Sequence, residues 1–377
     1  MENKICVYAI CKNEMEWIDR WLDNMGEADY IVVLDTGSTD GSYEKLLEDR
    51  RVTRVEQEII SPWRFDVARN ESMKLVPEDA NILVCTDFDE LFEPGWADIL
   101  RINWQDKFDR CHYTYAWSHN AKGEPQDVFK YDKIHTRDYY WIFPVHEVLW
   151  PKYGETRPEE ILDAGTHIFL HHWQDPKKER GSYFDLLKLS VAENPENSHV
   201  QMLLAREYFL KKDYQNAMIE YRKVLDYPDI HNENRKLVLQ ETTARIGDLY
   251  FLAEDYDNAI HWYSEALKLD PTHREPYFCM GDVYNSMKNY ALAEVMIKAG
   301  LENGIQHYDW TERKDFWLGK GNYLLAISQY YQKKFNDALA NARIGLQHDP
   351  NNVDLLKICV IALEDKLKKI ELEKNKV

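Results

Sequence analysis

The chain has 377 residues, about two and a half times the ~150 residues of an average domain, so we expect two or three domains. It carries 47 Lys and Arg against 66 Asp and Glu, and the net charge of −19 argues against nucleic acid as a partner. The hydrophobic content of 44% excludes general disorder. The cysteines are scattered, no apolar run approaches the ~18 residues of a transmembrane segment, and no signal peptide is apparent, which together predict a cytoplasmic protein.

Short apolar runs alternate with helical patterns in the first half of the chain. The pattern predicts strands at 5–10, 30–35, 52–55 and 81–86, and helices at 14–25, 42–47 and 65–75. Because these strands are apolar without alternation, they are typical of a mostly parallel sheet that is covered on both faces. From residue 111 to 172 the sequence becomes aromatic and irregular, which predicts antiparallel strands and loops that complete a site.

Beyond a charged linker at 175–181, small and aromatic residues recur at fixed offsets. One unit consists of Gly247, Tyr250, Ala259, Tyr263, Ala266 and Pro271. A shift of 34 positions, from Gly247 to Gly281, gives Gly281, Tyr284, Ala293, Ile297 and Gly300. A copy with the same internal offsets begins at Ala205 and a looser one at Ala326, and insertions separate the units at 226–234 and 303–315. This pattern resembles the tetratricopeptide repeat, in which small residues let paired helices approach closely.

Acidic and polar side chains follow three of the predicted strands. Asn13 follows the first strand, Asp35 ends the second, and Asp87 and Asp89 follow the fourth. Open parallel sheets bind ligands at the carboxyl ends of their strands. Residues i and i+2 leaving a strand point to the same side, so Asp87 and Asp89 can face one ligand. Their hard oxygens suit Mn²⁺ or Mg²⁺ shared with substrate phosphates.

The order of the motifs resembles that of the family 2 glycosyltransferases of the GT-A fold. The motifs are DTGSTDGS at 35–42, FDVARNE at 65–71, DFDE at 87–90, VHE at 145–147 and IFLHHW at 168–173. They are most similar to the subgroup with C-terminal tetratricopeptide repeats, which includes transferases of bacterial glycan assembly and peptide S-glycosyltransferases. The resemblance implies a Rossmann-like α/β GT-A domain followed by an all-α solenoid. Its segments are a domain at 1–175, a linker and connecting helix at 176–198, repeats at 199–352 and a capping helix at 353–377.

The resemblance also implies roles for single residues. Asp35 would accept a hydrogen bond from the uracil of a UDP-sugar, and Asp87 would accept one from the ribose or base side. Arg69 would offset the charge that grows on the leaving UDP. Nucleotide-sugar contacts are thereby expected from Asn13, Asp35, Asp66, Arg69 and Asp87. The metal ion, Mn²⁺ or Mg²⁺, would be held by Asp89 and by His171 or His172.

Inverting transfer needs a base that takes the proton of the acceptor. Glu147 is our choice, because it lies in the irregular segment that is expected to approach the acceptor, and His146 is the alternative. Asp163 and Glu90 also remain open. The aromatic residues between 113 and 150 form either a core or platforms for sugar rings, and Trp117 and Trp141 are the candidates for stacking.

The sequence therefore predicts an inverting, metal-dependent glycosyltransferase that moves a sugar from a UDP-linked donor to a glycan or peptide acceptor. The repeats would form a rigid concave arm for a peptide, a protein partner or a second protomer. The alternative is a scaffold protein in which the repeats bind partners and the nucleotide-sugar domain is degenerate. The sequence names neither the sugar nor the acceptor.

Overall fold

The computed structural model divides into two compact units, Met1–Glu193 and Asn194–Val377. It describes residues 3–120, 122–154, 156–174, 183–305, 316–317 and 319–374. The predicted linker at 175–181 lies outside these ranges. The helix after it, Tyr183–Glu193, belongs to the first unit, and its Glu193 accepts a hydrogen bond from Arg64 at 2.7 Å.

The first unit is built on one large sheet and a hairpin. The described strands are β1 (Ile5–Cys11), β2 (Tyr30–Asp35), β3 (Arg54–Gln57), β4 (Ile82–Cys85), β5 (Glu90–Phe92), β6 (Arg110–Ala116), β7 (Val128–His135), β8 (Tyr139–Ile142), β9 (Val148–Pro151) and β10 (Ile161–His172). The sheet has the order β3-β2-β1-β4-β7-β6-β10-β5, and β8 pairs with β9 in the hairpin. Its helices are α1 (Ile18–Met25), α2 (Ser42–Glu48), α3 (Phe65–Met73), α4 (Trp96–Asn103) and α5 (Tyr183–Glu193).

The predicted mostly parallel sheet is confirmed. Strands β3, β2, β1 and β4 are mutually parallel, while β7 is antiparallel to both β4 and β6. Within the irregular segment, however, β10 pairs with β6 in parallel, so this segment is not wholly antiparallel. The carboxyl ends of β1, β2 and β4 consequently lie along one edge of the sheet.

Both faces of the sheet are covered, as the apolar strands predict. Ile5 and Val7 of β1 face a hydrophobic cluster that contains Trp21 of α1. The alternate residue Tyr8 faces a second cluster that contains Trp141 of the hairpin. The alternation along β1 thus assigns α1 and α4 to one side and the hairpin to the other.

The second unit consists of paired helices. They are α6 (Ser198–Leu210), α7 (Tyr214–Leu225), α8 (Lys236–Leu252), α9 (Tyr256–Leu269), α10 (Glu275–Ser286), α11 (Tyr290–Glu302), α12 (Lys320–Tyr331), α13 (Phe335–His348) and α14 (Val353–Lys374). The four repeat units correspond to the pairs α6–α7, α8–α9, α10–α11 and α12–α13. A short 3-10 helix, Glu233–Arg235, occupies the first insertion, and most of the second lies outside the described ranges.

Small residues allow the helices of a pair to approach closely, as the repeat pattern predicts. A Cβ atom added at Gly247 of α8 would lie 2.7 Å from Cε1 of Tyr263 on α9, which is closer than real contacts. The aromatic ring of Tyr263 is fully packed into this gap. Among the helices that the structure describes, α14 is the longest, and none is long and apolar enough to cross a membrane.

The turns inside the four helix pairs share one geometry. Each contains a residue with a left-handed backbone, with φ between 58° and 62°: Lys212, Glu254, Lys288 and Lys333. In the second pair, the next residue, Asp255, caps α9 because its Oδ1 accepts a hydrogen bond from the Asn258 amide at 3.3 Å. The corresponding caps are Asp213 and Asn289 in the first and third pairs.

We expect Asp255→Ala to lower the free energy of unfolding of the second unit by about 1 kcal/mol, because an unpaired amide remains at the helix start. The measurement is urea denaturation followed by circular dichroism. Asp255→Asn is the matched control, since an asparagine oxygen caps equally well and stability should be nearly unchanged. Equal losses in the two variants would contradict the capping role.

Candidate functional site

Asp35 ends β2 at the edge where the parallel strands finish. The side chain is fully buried, and its Oδ1 accepts hydrogen bonds from the amides of Gly37 at 3.0 Å and Ser38 at 2.9 Å, and from Gln57 Nε2 at 2.9 Å. Gly37 has φ of 103°, a conformation that requires glycine. Oδ2 is buried and has no hydrogen-bond partner among the described residues. One oxygen therefore shapes the loop, and the other is left to accept from a ligand.

Asn13 connects the loop after β1 to the loop after β2. Its amide donates to Ser38 Oγ at 2.8 Å, and its Oδ1 accepts from the Thr39 amide at 2.8 Å. The residue is exposed and has a left-handed backbone with φ of 58°. The side-chain oxygen of Asn13 already binds the second loop, so Asn13 shapes the edge of the site. Its side-chain nitrogen, Nδ2, is left for any contact with a nucleotide.

Arg69 of α3 is buried at the centre of the site. Its Nη2 donates to Asp87 Oδ1 at 3.0 Å, its Nε to Glu147 Oε1 at 2.5 Å, and its Nη1 to Cys85 Sγ at 3.1 Å. The guanidinium lies 5.2 Å from the ring centroid of Trp141. Burial alone lowers the pKa of Arg69, but the charges of Asp87 and Glu147 raise it well above its usual value. Arg69 therefore holds two acidic side chains from different segments together.

Lys133 of β7 is a second buried cation of the site, and no sequence motif marks it. Its Nζ donates to Asp87 Oδ2 at 3.2 Å and to Glu90 Oε1 at 2.9 Å. Burial alone lowers the pKa of Lys133, and the charges of Asp87 and Glu90 raise it well above its usual value. Glu90 is 1% exposed and also accepts from the Tyr115 hydroxyl at 2.9 Å. Its role as an alternative base is inconsistent with this paired, buried position.

Asp89 lies beside His172, the last residue of β10. Their Oδ2 and Nε2 atoms are 3.5 Å apart. The imidazole packs on Trp117, with ring centroids 4.7 Å apart. Burial alone lowers the pKa of His172, but the neighbouring Asp89 carboxylate raises it above its usual value. Of the two histidines that the sequence left open, the structure brings His172 to Asp89.

His171 has other contacts, since successive residues of a strand alternate between its two faces. Its Nδ1 lies 2.9 Å from Nε2 of His119, and its Nε2 lies 3.5 Å from Glu93 Oε1. The His119 ring stacks on Trp173 with centroids 4.2 Å apart. His171 therefore belongs to a histidine pair apart from the Asp89 contact, and its expected role as the metal ligand does not fit this position.

The β8–β9 hairpin is anchored to α3. Asn70 donates from its Nδ2 to the Trp141 carbonyl at 2.8 Å and accepts at Oδ1 from the Trp141 amide at 2.8 Å. The Phe65 backbone amide donates to the Pro144 carbonyl at 3.0 Å. These bonds explain how α3 sets the position of the hairpin and of Glu147, which lies just before β9.

The hairpin loop separates the two predicted bases. Phe143 and His146 have left-handed backbones, with φ of 75° and 52°, in the loop that joins the antiparallel strands β8 and β9. His146 is exposed, and its ring lies 6.1 Å from that of Tyr183 on α5. Glu147 instead contacts Arg69 inside the site. The geometry therefore favours Glu147 over His146 for a role near Asp87.

Two aromatic candidates have different positions. Trp117 is 37% exposed and lies beside His172, so the exposed part of its ring can contact a ligand. Trp141 is 3% exposed, and its Nε1 donates to the Tyr8 hydroxyl at 2.8 Å. Because Arg69 lies against its ring, Trp141 is a core residue, and stacking on a sugar is inconsistent with its position.

Two acidic candidates lie apart from the group formed by Arg69, Asp87 and Glu147. Asp66 accepts from Arg64 at 2.8 and 3.0 Å, and Arg64 connects it to the end of α5. The hydrogen bonds of the Asp66 carboxylate therefore belong to helix packing, and direct contact with a nucleotide is not supported. Asp163 of β10 is exposed and paired with Lys130 at 2.6 Å, so its role as an alternative base does not fit.

Comparisons with known proteins identify helical repeats in the second unit. Residues 247–287 match the model of the TPR repeat and residues 198–229 that of the tetratricopeptide repeat. No curated protein matches the chain. The C-terminal region therefore contains tetratricopeptide repeats.

Solved structures with such repeats are similar to part of the chain. A crystal structure of MamA is 18% identical, with a TM-score of 0.37, over 48% of this chain and 88% of that one. YrrB, titled as a TPR protein with an unusual peptide-binding site, is 14% identical with a TM-score of 0.38, over 48% and 83%. The first TPR domain of human RPAP3 is 17% identical with a TM-score of 0.30, over 35% and 96%.

Proposed function

We propose that the first unit transfers a sugar from a UDP-linked donor to an acceptor with inversion, in a reaction that needs a divalent metal ion. The observation that carries the proposal is the neighbourhood of Asp89 and His172, next to the Arg69–Asp87–Glu147 group, where parallel strands end. A carboxylate and an imidazole together suit Mn²⁺ and also accept Mg²⁺ through the carboxylate.

The donor atoms at this edge of the sheet suit a divalent metal ion. The structure gives Asp89 Oδ2 and His172 Nε2 at 3.5 Å, and among the described residues no group of three or more metal-binding side chains occurs. Two protein ligands suffice for an ion that substrate phosphates also coordinate. Bound there, the ion would supply positive charge to the leaving diphosphate.

The charges of the site support the need for a divalent cation. Asp87, Asp89, Glu90 and Glu147 give a formal charge of −4, against +2 from Arg69 and Lys133. These six side chains are therefore formally negative by two charges, and the buried Asp35 adds another, so an anionic diphosphate would be repelled from the site. A divalent cation offsets this excess, which explains how an acidic site accepts a phosphate-bearing ligand.

The remaining residues receive separate roles. The buried Asp35 Oδ2 is positioned to accept from an N–H group such as that of uracil. Asp87, held from two sides, would bind the ribose without moving. Glu147 is held at Oε1 by Arg69, and its Oε2, which has no hydrogen bond within the described part of the chain, would take the proton of the acceptor. Trp117 would contact the sugar or the acceptor.

The tetratricopeptide repeats indicate protein partners, and we propose that they present a peptide or protein to the first unit or to another protein. A glycan acceptor is the alternative. If the first unit bound no nucleotide sugar, the repeats alone would define the function, and the protein would be a scaffold. Binding of UDP separates these two possibilities.

We expect isothermal titration calorimetry to show UDP binding that requires Mn²⁺, and Asp89→Asn to weaken it about tenfold or more, because one ligand of the ion loses its charge. The same variant should release no UDP from UDP-sugars by hydrolysis. The matched control is Asp98→Asn, which removes an exposed carboxylate on α4 and should leave both readouts unchanged. Undiminished Mn²⁺-dependent binding by Asp89→Asn would contradict the metal role, and no UDP binding by the wild type would favour the scaffold.

A further inference from the structure

Gln57 is the last residue of β3 and lies opposite Asp35 in the parallel pairing of β2 with β3. Residues paired across neighbouring strands put their side chains on the same face of the sheet. The Gln57 Nε2 atom donates to Asp35 Oδ1 at 2.9 Å. Because a carboxylate oxygen only accepts, the atom that faces it must be the amide nitrogen, and the orientation of the Gln57 amide is thereby fixed.

The Gln57 amide and the Asp35 carboxylate each keep an unused hydrogen-bonding group. The amide nitrogen of glutamine carries two hydrogens, and the contact with Asp35 uses one of them. Gln57 is exposed and makes no other side-chain hydrogen bond within the described ranges. Asp35 is fully buried, and its Oδ2 has no partner there either. A buried acceptor without a partner destabilises the fold, so a donor from outside the chain is expected beside the free hydrogen of Gln57.

An apolar surface adjoins this polar pair. Ile59, two residues after β3, is 76% exposed. Its Cγ1 lies 3.5 Å from the position that a Cβ atom on Gly37 would take, so the side chain lies against the turn whose amides bind Asp35. Small-molecule sites combine an apolar lining with a few polar groups that fix the orientation of the ligand. A flat ring with a polar edge, such as a nucleobase, matches this combination.

We propose that Gln57 selects the base of the nucleotide by donating its second amide hydrogen to a carbonyl oxygen next to the N–H that Asp35 Oδ2 accepts. The inference rests on the proposed function, in which Asp35 binds uracil. Uracil carries a carbonyl on each side of N3–H, so it offers both groups. Guanine presents the same two groups at N1–H and O6. The site is therefore specific for a ring N–H flanked by a carbonyl, and Gln57 is the residue that contacts the carbonyl.

Cytosine and adenine reverse both groups. The corresponding ring nitrogen, N3 of cytosine or N1 of adenine, carries a lone pair and would face the lone pairs of Asp35 Oδ2. The amino group beside that nitrogen would face the remaining hydrogen of Gln57 Nε2. A site that is built to hydrogen-bond its ligand discriminates strongly against an analogue that leaves buried polar groups unpaired. We therefore expect the hydrogen-bond pattern of the base to decide which nucleotide binds.

The first test compares nucleotides on the full chain by isothermal titration calorimetry with Mn²⁺ present. UDP should bind about 100-fold more tightly than CDP, because two hydrogen bonds are replaced by two repulsive contacts. Tighter binding of GDP than of UDP would assign the site to guanine and overturn the choice of uracil. Equal affinities for UDP and CDP would overturn base selection and leave the proposed function intact. No binding of any nucleotide would contradict the proposed function and the inference with it.

The second test distinguishes a direct contact with the base from a role in which Gln57 only holds Asp35. Gln57→Leu should weaken the binding of UDP about tenfold, since it removes one hydrogen bond to the ligand. In 2-thio-UDP and 4-thio-UDP, sulfur replaces one carbonyl oxygen and is a weak acceptor. The wild type should bind one of these analogues several-fold more weakly than UDP. In Gln57→Leu this difference should vanish, because the substitution and the sulfur remove the same hydrogen bond.

The matched control is Gln105→Leu. It removes an exposed glutamine next to Trp104, whose carbonyl binds Asn3 ahead of β1, at the amino end of that strand. This variant should bind all these nucleotides as the wild type does, and circular dichroism confirms that both variants are folded. If the wild type binds neither analogue more weakly than UDP, or if the penalty for sulfur persists in Gln57→Leu, Gln57 does not contact the base and the proposal is overturned. An unchanged affinity of Gln57→Leu for UDP would overturn it as well.

Discussion

Arg69→Leu is expected to lower the free energy of unfolding of the first unit by about 3 kcal/mol. The substitution leaves the carboxylates of Asp87 and Glu147 close together in a largely buried site without the cation that lies between them. It also removes the guanidinium from the face of Trp141. Asp87 keeps Lys133 as a partner and is one-third exposed, which places the loss at the lower end of the range for a broken buried ion pair.

Urea denaturation followed by tryptophan fluorescence measures this loss, and two further variants test its cause. Arg54→Leu removes an arginine from an exposed pair with Glu56 and should cost less than about 0.5 kcal/mol. Arg69→Leu/Glu147→Leu removes the unpaired charge together with the cation. Its loss should therefore be smaller than the sum of the two single losses by about 1 kcal/mol or more. Simple additivity would show that the ion pair between Arg69 and Glu147 does not contribute to stability.

The strand ends could be predicted from the sequence because their signal is local. The apolar run before Asp35 and the one before Asp87 each define a buried strand, and chain order alone implies that parallel strands end at one edge. The structure confirms both strands within one or two residues. The repeats of the second half were equally predictable, since the spacing of small and aromatic residues recurs along the chain.

The partners of these residues could not be predicted in the same way. Lys133 meets Asp87 because β7 inserts beside β4, and nothing in the local sequence of β7 specifies its neighbour in the sheet. The position of Trp141 likewise depends on tertiary structure. The sequence predicted a side chain that stacks on a sugar, but Asn70 of α3 binds the Trp141 backbone and draws the hairpin against the sheet.

His135 of β7 shows how completely such a buried residue is specified by its neighbours. Its Nδ1 lies 2.6 Å from the Thr136 carbonyl, which only accepts, so Nδ1 carries the hydrogen. Nε2, 2.7 Å from the Tyr8 hydroxyl, therefore accepts from it, and the Tyr8 oxygen accepts from Trp141 Nε1. Both ring nitrogens of the neutral imidazole therefore have a hydrogen-bond partner. A second proton would go to Nε2, where it would displace the hydrogen of the Tyr8 hydroxyl.

The first unit should consequently lose stability as the pH falls below 6.5. Burial lowers the pKa of His135 to about 3, whereas in the unfolded chain the imidazole has its usual pKa near 6.5. Between these values the unfolded chain binds a proton that the folded protein does not, so the stabilisation is complete above pH 6.5 and is lost towards pH 3. From pH 7 to pH 4 this single residue should remove about 3 kcal/mol from the free energy of unfolding.

Comparison with His135→Gln isolates this contribution, because the acidic residues titrate alike in both proteins. The glutamine oxygen can accept from Tyr8 but cannot bind a proton in this pH range. At pH 7 the wild type should be the more stable protein, since glutamine fits the imidazole site imperfectly. The difference should shrink as the pH falls and reverse near pH 4, where only the wild type has to exclude a proton. If the free energies of unfolding of the two proteins instead differ by the same amount from pH 7 to pH 4, His135 is not held neutral by its surroundings.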